Sequence, residues 1–254
     1  MKLILTLTST VLLMNAAEAP PFHWNGSVAA GKTVSVSGIS GIIRTERAIG
    51  GSVEVTALRT AQRHDPNEVQ IEVVPTETGV KICAIYPHST KDCKGNARTY
   101  TKESWTNNND VDVAFTVKLP AGVNFSGNNV NGDIQVADVQ GEAKANTVNG
   151  NVTVTASEAV DAHTVNGNVV ATLQGSPRKP MSFHTVNGSI DLTMSGSAAA
   201  QISANTVNGD LVSDFPMTVK SKIAGKSLAG EIGSGGPKLD FHTVNGSVRL
   251  HRGA

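Results

Sequence analysis

Few side chains in this sequence could do chemistry, and those few fall into columns set by a repeat. His163 and His184 each stand just before a Thr-Val-Asn-Gly tetrapeptide. If successive copies stack at the roughly 4.8 Å spacing of paired strands, the two imidazoles become neighbours able to share a metal ion. Asn146, Asn205, Lys226 and His242 hold the same position in other copies. Two histidines without a carboxylate are an incomplete ligand set, so a polar stack that caps a strand end is the expected role, and no metal or cofactor is assigned. Asp210 and Glu231 each follow the closing glycine of a copy. On adjacent coils they could serve acid–base hydrolysis or hold a divalent cation. Their column also contains Asp133, Asn151, Asn168, Ser189 and Ser247. These are mostly short side chains that hydrogen-bond near turns, so a structural role is expected here too. The motif threonines, with Ser227, form a third column, expected on an outer face, where regular hydroxyls could order water or ice. No G-x-S-x-G, H-E-x-x-H, P-loop or calcium-binding nonapeptide occurs, and no catalytic residue is assigned.

These columns depend on the repeat. Thr-Val-Asn-Gly occurs at 147–150, 164–167, 185–188, 206–209 and 243–246, with a near-match at 129–132. The glycines lie 18, 17, 21, 21 and then 37 residues apart. A worn copy, Ser227-Leu228-Ala229-Gly230, divides the last gap into 21 and 16. A period near 19 residues indicates stacked coils. After each glycine, apolar residues alternate, as in Val152 and Val154 or Ile190 and Leu192; before each motif they alternate again, as in Met181 and Phe183 or Leu239 and Phe241. Period-two alternation predicts short strands with one buried face. The motif valines Val148, Val165, Val186, Val207 and Val244 are expected to supply a third inward position, giving about three segments per coil. Asn-Gly is a turn dipeptide, so Asn131-Gly132, Asn149-Gly150, Asn166-Gly167, Asn187-Gly188, Asn208-Gly209 and Asn245-Gly246 read as corners, with positive φ at glycine and an amide ladder along the asparagines. The fold class is therefore all-β, a β-solenoid (β-helix) of about 17–21-residue coils with an irregular β-rich N-terminal half.

Residues 1–19 read as a secretory signal: Lys2, an apolar run over 3–14, and Ala17-Glu18-Ala19 as a small-x-small cleavage pattern. The run is too short to span a bilayer, and no later segment reads as transmembrane. The expectation is an exported protein of the periplasm, outer envelope surface or extracellular space. Basic and acidic residues number 21 each, which builds no positive field for nucleic acid. Aromatics at 4% argue against an aromatic-lined sugar cleft.

The N-terminal region, residues 20–121, carries two echoes of the repeat, at 39–43 and 49–55, and alternating strands at 68–74, 80–86 and 111–119. A polar insertion spans 91–110. Pro120-Ala121-Gly122 marks a soft boundary with the regular coils of 122–254, because sheets could run through it. Cys83 and Cys93 are the only cysteines, and in an exported chain this spacing predicts a disulfide pinning the insertion.

An early echo of the repeat, a strand-rich insertion, Val117-Lys118-Leu119-Pro120-Ala121-Gly122-Val123 and serial Val-Asn-Gly-Asp/Asn/Ser-Val units together resemble the DUF4097 family of provisionally named bacterial adhesins. The resemblance covers nearly all of the chain after the signal. It implies a β-solenoid in an envelope setting and brings no catalytic residues. The expected function is an exported, non-enzymatic binding or structural module that meets an envelope or extracellular protein or glycan. A polysaccharide-active β-helix enzyme, lyase or hydrolase, is the alternative. The expected contact surface is the unequal loops at 175–180, 195–199 and 214–226, of which the first places Arg178 and Lys179 between two prolines.

The Cys83–Cys93 pairing is testable. Thiol labelling of the denatured, unreduced protein should find no free thiol. A Cys83→Ser, Cys93→Ser variant should lose roughly 2–3 kcal/mol of stability. Two reactive thiols per chain would refute it.

Overall fold

The computed structural model describes residues 16–87, 89, 92–96, 109–156, 159–221 and 225–253. Most of the signal segment and of the polar insertion lies outside them. Among the described residues the one helical element is a 3₁₀ turn, Pro66–Glu68, capped by the Asp65 side chain, and the other regular elements are strands. No helix there is long and apolar enough to cross a membrane.

Each coil contributes two strands, not three. One strand precedes the corner and one follows it, and among the described residues the coils together with strands that flank the stack form two sheets of eleven strands each. Alternation drives this. Strands such as Val152–Ala156, Val169–Leu173 and Ile190–Ser195 bury every second residue from one sheet. Val160–His163, Met181–His184 and Lys238–Asn245 do so from the other. One continuous apolar core fills the space between, with Phe183 and Phe241 stacked at 5.0 Å inside it.

Seven coils make up the stack. The first is Thr33–Ser37 with Ile43–Arg47, turning at Ser40; the early echo at 39–43 is thus a true corner. The echo at 49–55 is not, since Val53–Ala61 runs antiparallel against Asp112–Leu119. Both sheets continue across 120–122, where Thr33–Ser37 pairs with Asn124–Asn128 and Ile43–Arg47 with Ile134–Val139. Antiparallel strands close the ends. Gln70–Thr76 and Gly79–Ile85 form a hairpin at the N-terminal end of one sheet. A disulfide joins Cys83 of this hairpin to Cys93, whose backbone N–H donates to Glu72 Oε2 at 3.1 Å.

Two expectations fail here. The segment 227–230 is not a worn coil; it lies within Lys226–Ile232, which pairs antiparallel with Ala200–Asn208 and Thr218–Ser221. The supposed loop at 214–226 therefore contains a strand, and this hairpin covers the C-terminal end of the stack. Coil order also departs from chain order. The last coil, Lys238–Asn245 with Val248–Gly253, sits between the coils of Met181–His184 and Ala200–Asn208. Asn187 accordingly bridges to Asn245.

The corners are built from three interlocking columns. Thr147, Thr164, Thr185, Thr243 and Thr206 are buried, so the threonine face expected outside points in. Each hydroxyl donates to the glycine carbonyl of the preceding coil in the stack: Thr164 Oγ1 to Gly150 O at 2.8 Å, Thr185 to Gly167 at 2.9 Å, Thr243 to Gly188 at 2.9 Å. The residue after each glycine accepts the next coil's N–H, as when Asn168 N–H donates to Asn151 Oδ1 and Ser189 N–H to Asn168 Oδ1. The asparagines form an amide ladder from Asn131 to Asn208, each Nδ2 donating to the Oδ1 of the preceding coil's asparagine at 2.8 Å.

Glycine is required here for close approach. A Cβ on Gly188 would fall on the carbonyl of Gly167, and one on Gly167 on that of Gly150. The expected positive φ occurs at Gly132 and Gly246 only among the six corners. Gly188→Ala should therefore cost at least about 2 kcal/mol, because backbone must move to admit the methyl group. Gly50→Ala, at a site with open space, should change little. Equal denaturant midpoints for the two variants would refute the crowding account.

Candidate functional site

Inverting the threonines also inverts the valines. In extended chain the residue after an inward one points to the opposite side. Ile39, Val130, Val148, Val165, Val186 and Val207 are all exposed, each at 37–45%, and Val244 is half-buried. Their order in the stack makes a straight aliphatic row along one edge of the molecule. The exposed asparagine ladder runs beside it, because Asn follows Val in every motif. The edge thus offers methyl groups and primary amides at a fixed repeat of about 4.8 Å.

The second feature lies on the outer face of a sheet. His163 pairs in register with His184, and His184 with His242. Ring centroids are 4.8 Å and 6.0 Å apart, both edge to face. Two residues earlier the same strands carry Asp161, Ser182 and Asp240, on the same face. Ser182 Oγ donates to Asp161 Oδ1 at 3.1 Å and lies 3.2 Å from His163 Nε2. His184 Nε2 is 3.9 Å from Asp240 Oδ2 and has no hydrogen-bond partner. Lys144 pairs with Asp161 at 3.5 Å, and Lys238 with Asp240 at 3.6 Å. Burial lowers the pKa of His163, and its neighbour His184 lowers it further. Burial also lowers that of His184; Asp240 opposes the shift without cancelling it, and His242 adds to it. The motif places His163, His184 and His242 in one column, but the spacing makes neighbours of only the first two. The adjacency of His242 to His184 was hidden by the displaced last coil. The carboxylates had a visible signal, an Asp-x-His spacing in Asp161-Ala162-His163 and again in Asp240-Phe241-His242.

Asp210 and Glu231 do not come together on adjacent coils. The stack neighbour of Asp210 is Ser247, whose Oγ accepts the Asp210 N–H. The Asp210 carboxylate is ion-paired with Lys226, which holds its pKa below the usual range. Glu231 stands opposite Gln201 in the antiparallel hairpin. Arg178 and Lys179 are exposed on their loop, with Pro177 buried beneath and Lys179 bonded to Glu142 Oε1 at 2.7 Å. At the other end of the molecule, Asp110 receives the N–H groups of Arg63 and His64 and the His64 ring. These bonds, the His64 ring first, hold its carboxyl well below the ordinary range and tie down the chain as it re-enters the sheet.

A family model described as Toastrack DUF4097 matches residues 101–251, more than half of the chain. The protein belongs to this family. The matched region starts inside the insertion, so the first coil and the N-terminal hairpin lie outside it. Among solved structures, a provisionally named cell adhesion protein from Clostridium sporogenes shares 11% identity, over 92% of this chain and 100% of its own, with a TM-score of 0.44. A provisionally named adhesin from Bacteroides fragilis shares 14%, over 91% and 97%, with a TM-score of 0.32. A provisionally named lipid-binding protein from Parabacteroides distasonis shares 14%, over 92% and 95%, with a TM-score of 0.30. No curated protein matches the chain significantly.

The histidine pair makes stability depend on pH. Unfolded histidine titrates near 6.5 and the folded pair below it, so between those values the unfolded chain binds more protons. Stability is complete above pH 6.5 and falls as the pH drops toward the folded values. Lys144, Asp161, Lys238, Asp240 and His242 are the charged or titratable groups facing the pair. Thermal melts of the metal-free protein should fall between pH 7.5 and 5.5, and fall less in a His163→Gln, His184→Gln variant. The same decrease in both proteins would refute the assignment.

Proposed function

We propose that the chain is an exported, non-enzymatic binding module of the bacterial envelope, adhesin-like in the sense that it holds a macromolecular ligand by a regular edge. One observation carries this reading: the exposed aliphatic row of Ile39, Val130, Val148, Val165, Val186 and Val207 beside its amide ladder. Contiguous exposed apolar surface of this kind marks interaction sites. The rigid stack below it fixes the contact groups without an ordering cost at binding. A partner with extended geometry, protein or glycan, meets a periodic surface of matching form. The Cys83–Cys93 disulfide supports an oxidising compartment. An enzyme reading has no support in the Asp210–Glu231 geometry, and water ordering by the threonine hydroxyls has none in their burial. The loop at 175–180 is a second contact element, because Arg178 stands exposed on a segment anchored by buried Pro177.

Envelope pull-down and glycan-array binding of the exported chain test the reading. Val148→Thr, Val165→Thr, Val186→Thr keeps side-chain shape and β-branching while replacing methyls by hydroxyls. It should weaken retention about tenfold or more and leave the melting temperature nearly unchanged. Shortening 175–180 should have a smaller effect. Retention untouched by the valine changes but lost on shortening 175–180 or 195–199 would move the contact surface to the loops.

A further inference from the structure

We propose that the outer sheet face carries a site for a divalent transition-metal ion of the zinc class, built by His184 and Asp240 with His163 and His242 on either side. The juxtaposition rests on strand register. Three imidazoles stand on three consecutive parallel strands, and two carboxylates stand two residues earlier on the flanking strands. All five side chains share one face, since side chains two apart along a strand point the same way.

Each group has a definable part. His184 is central, with its ring 4.8 Å from that of His163 and 6.0 Å from that of His242. Its Nε2 is shielded from solvent yet has no hydrogen-bond partner, and the nearest acidic oxygen is Asp240 Oδ2 at 3.9 Å. An ion between a nitrogen and a carboxylate oxygen at bonds of about 2.0–2.2 Å needs those atoms roughly 3–4 Å apart. Asp161 acts through another residue. Ser182 gives its one hydroxyl hydrogen to Asp161 Oδ1, so its oxygen accepts from His163 Nε2–H. That places the His163 lone pair on Nδ1 and orients the ring, the part that an outer carboxylate plays in metal sites. Among the described residues, no three such groups converge on one point as they stand. The side chains of His184 and Asp240 are 41% and 37% exposed, so χ rotation is not blocked by packing. Lys238 and Lys144 neutralise the two aspartates until a metal does. Imidazole nitrogens select zinc, nickel, cobalt or copper over calcium and magnesium, which take oxygen ligands. Each histidine stands two residues before a motif valine, so this site borders the Val-Asn edge; it rests on the histidine face and not on the proposed binding role.

The test uses untagged protein carrying its natural disulfide. Calorimetric titration with zinc chloride, repeated with nickel and magnesium, should give one zinc or nickel per chain and no magnesium binding. Zinc should raise the melting temperature, and histidine ring resonances of His163, His184 and His242 should shift together in NMR spectra. His184→Ala should abolish binding, and Asp240→Asn should weaken it about 10-fold to 100-fold. Both changes sit on an exposed face, and a melt of each metal-free variant confirms folding. His184→Gln serves in place of the alanine variant if that fails to fold. His23→Gln, remote from this face, should bind as the parent does. No zinc binding by the parent, or undiminished binding by a folded His184 variant, overturns the proposal.

Discussion

Everything in this molecule depends on how closely two glycines pass at each corner. The carbonyl oxygen of one corner glycine occupies the place where a Cβ on the next would be. A carbonyl so enclosed needs a hydrogen-bond donor, since a buried unpaired oxygen costs about 1–3 kcal/mol. The donor is the buried threonine hydroxyl of the neighbouring coil, at 2.8–3.0 Å in all five complete motifs. Valine is close to threonine in shape but could not fill this role. The next residue lends a side-chain oxygen to the N–H that the turn leaves unpaired. Glycine, threonine and the short polar residue after glycine are thus one solution to one problem, and the repeat spells it out coil by coil.

The surface chemistry follows from that constraint. With threonine drawn inward, the adjacent valine has no inward option, and asparagine must fit the remaining outward position. The edge therefore carries a line of methyl groups beside its amides. The amide ladder beside it satisfies the asparagines among themselves, so their outer hydrogen-bonding capacity is presented in a fixed, repeated orientation. Flat stacked strands with unsatisfied borders invite uncontrolled pairing. Here antiparallel hairpins flank both ends of one sheet, the first tied to the following segment by the Cys83–Cys93 disulfide, and the side edge is the regular exposed feature.

Much of this was legible in the residues. The period, the corners, the all-β class and the alternating core positions follow from Gly and Asn placement and from period-two patterning. The phase of the motif was not. Threonine and valine are both β-branched strand formers, and alternation alone allows either to face in. Hydropathy favours valine, whereas the hydrogen-bond demand of the glycine carbonyl favours threonine, and that demand is visible only once coils are stacked. Positive φ at the corner glycines was inferred from turn chemistry, but crowding explains glycine at Gly150, Gly167, Gly188 and Gly209. The Asp210–Glu231 proximity failed because Gly230 mimics a corner within an antiparallel strand. The histidine face was half legible: the Asp-x-His spacing could be read, the adjacency of His184 and His242 could not.

That adjacency comes from the displaced last coil, and the interlock explains why displacement is tolerated. Every coil with the complete motif presents the same acceptor on one side and the same donor on the other, so such coils fit beside one another in any order. Thr243 reaches Gly188 at 2.9 Å and Thr206 reaches Gly246 at 2.8 Å, the same geometry as between coils consecutive in sequence. The corners therefore fix that coils stack and leave their order open. Order must come from groups that differ between coils. Phe241 stacks on Phe183 at an interplanar angle of 9°, and Arg249 reaches Asp191 at 3.4 Å. Neither contact exists if Ala200–Asn208 follows Met181–His184 directly, for Ala204 would then oppose Phe183 and Val212 would oppose Asp191. The antiparallel hairpin formed by Thr218–Ser221 and Lys226–Ile232 supplies the length of chain needed to pass around the outer coil and return. A repeat with interchangeable joints thus has its sequence of coils set by one aromatic pair, one ion pair and the reach of a hairpin.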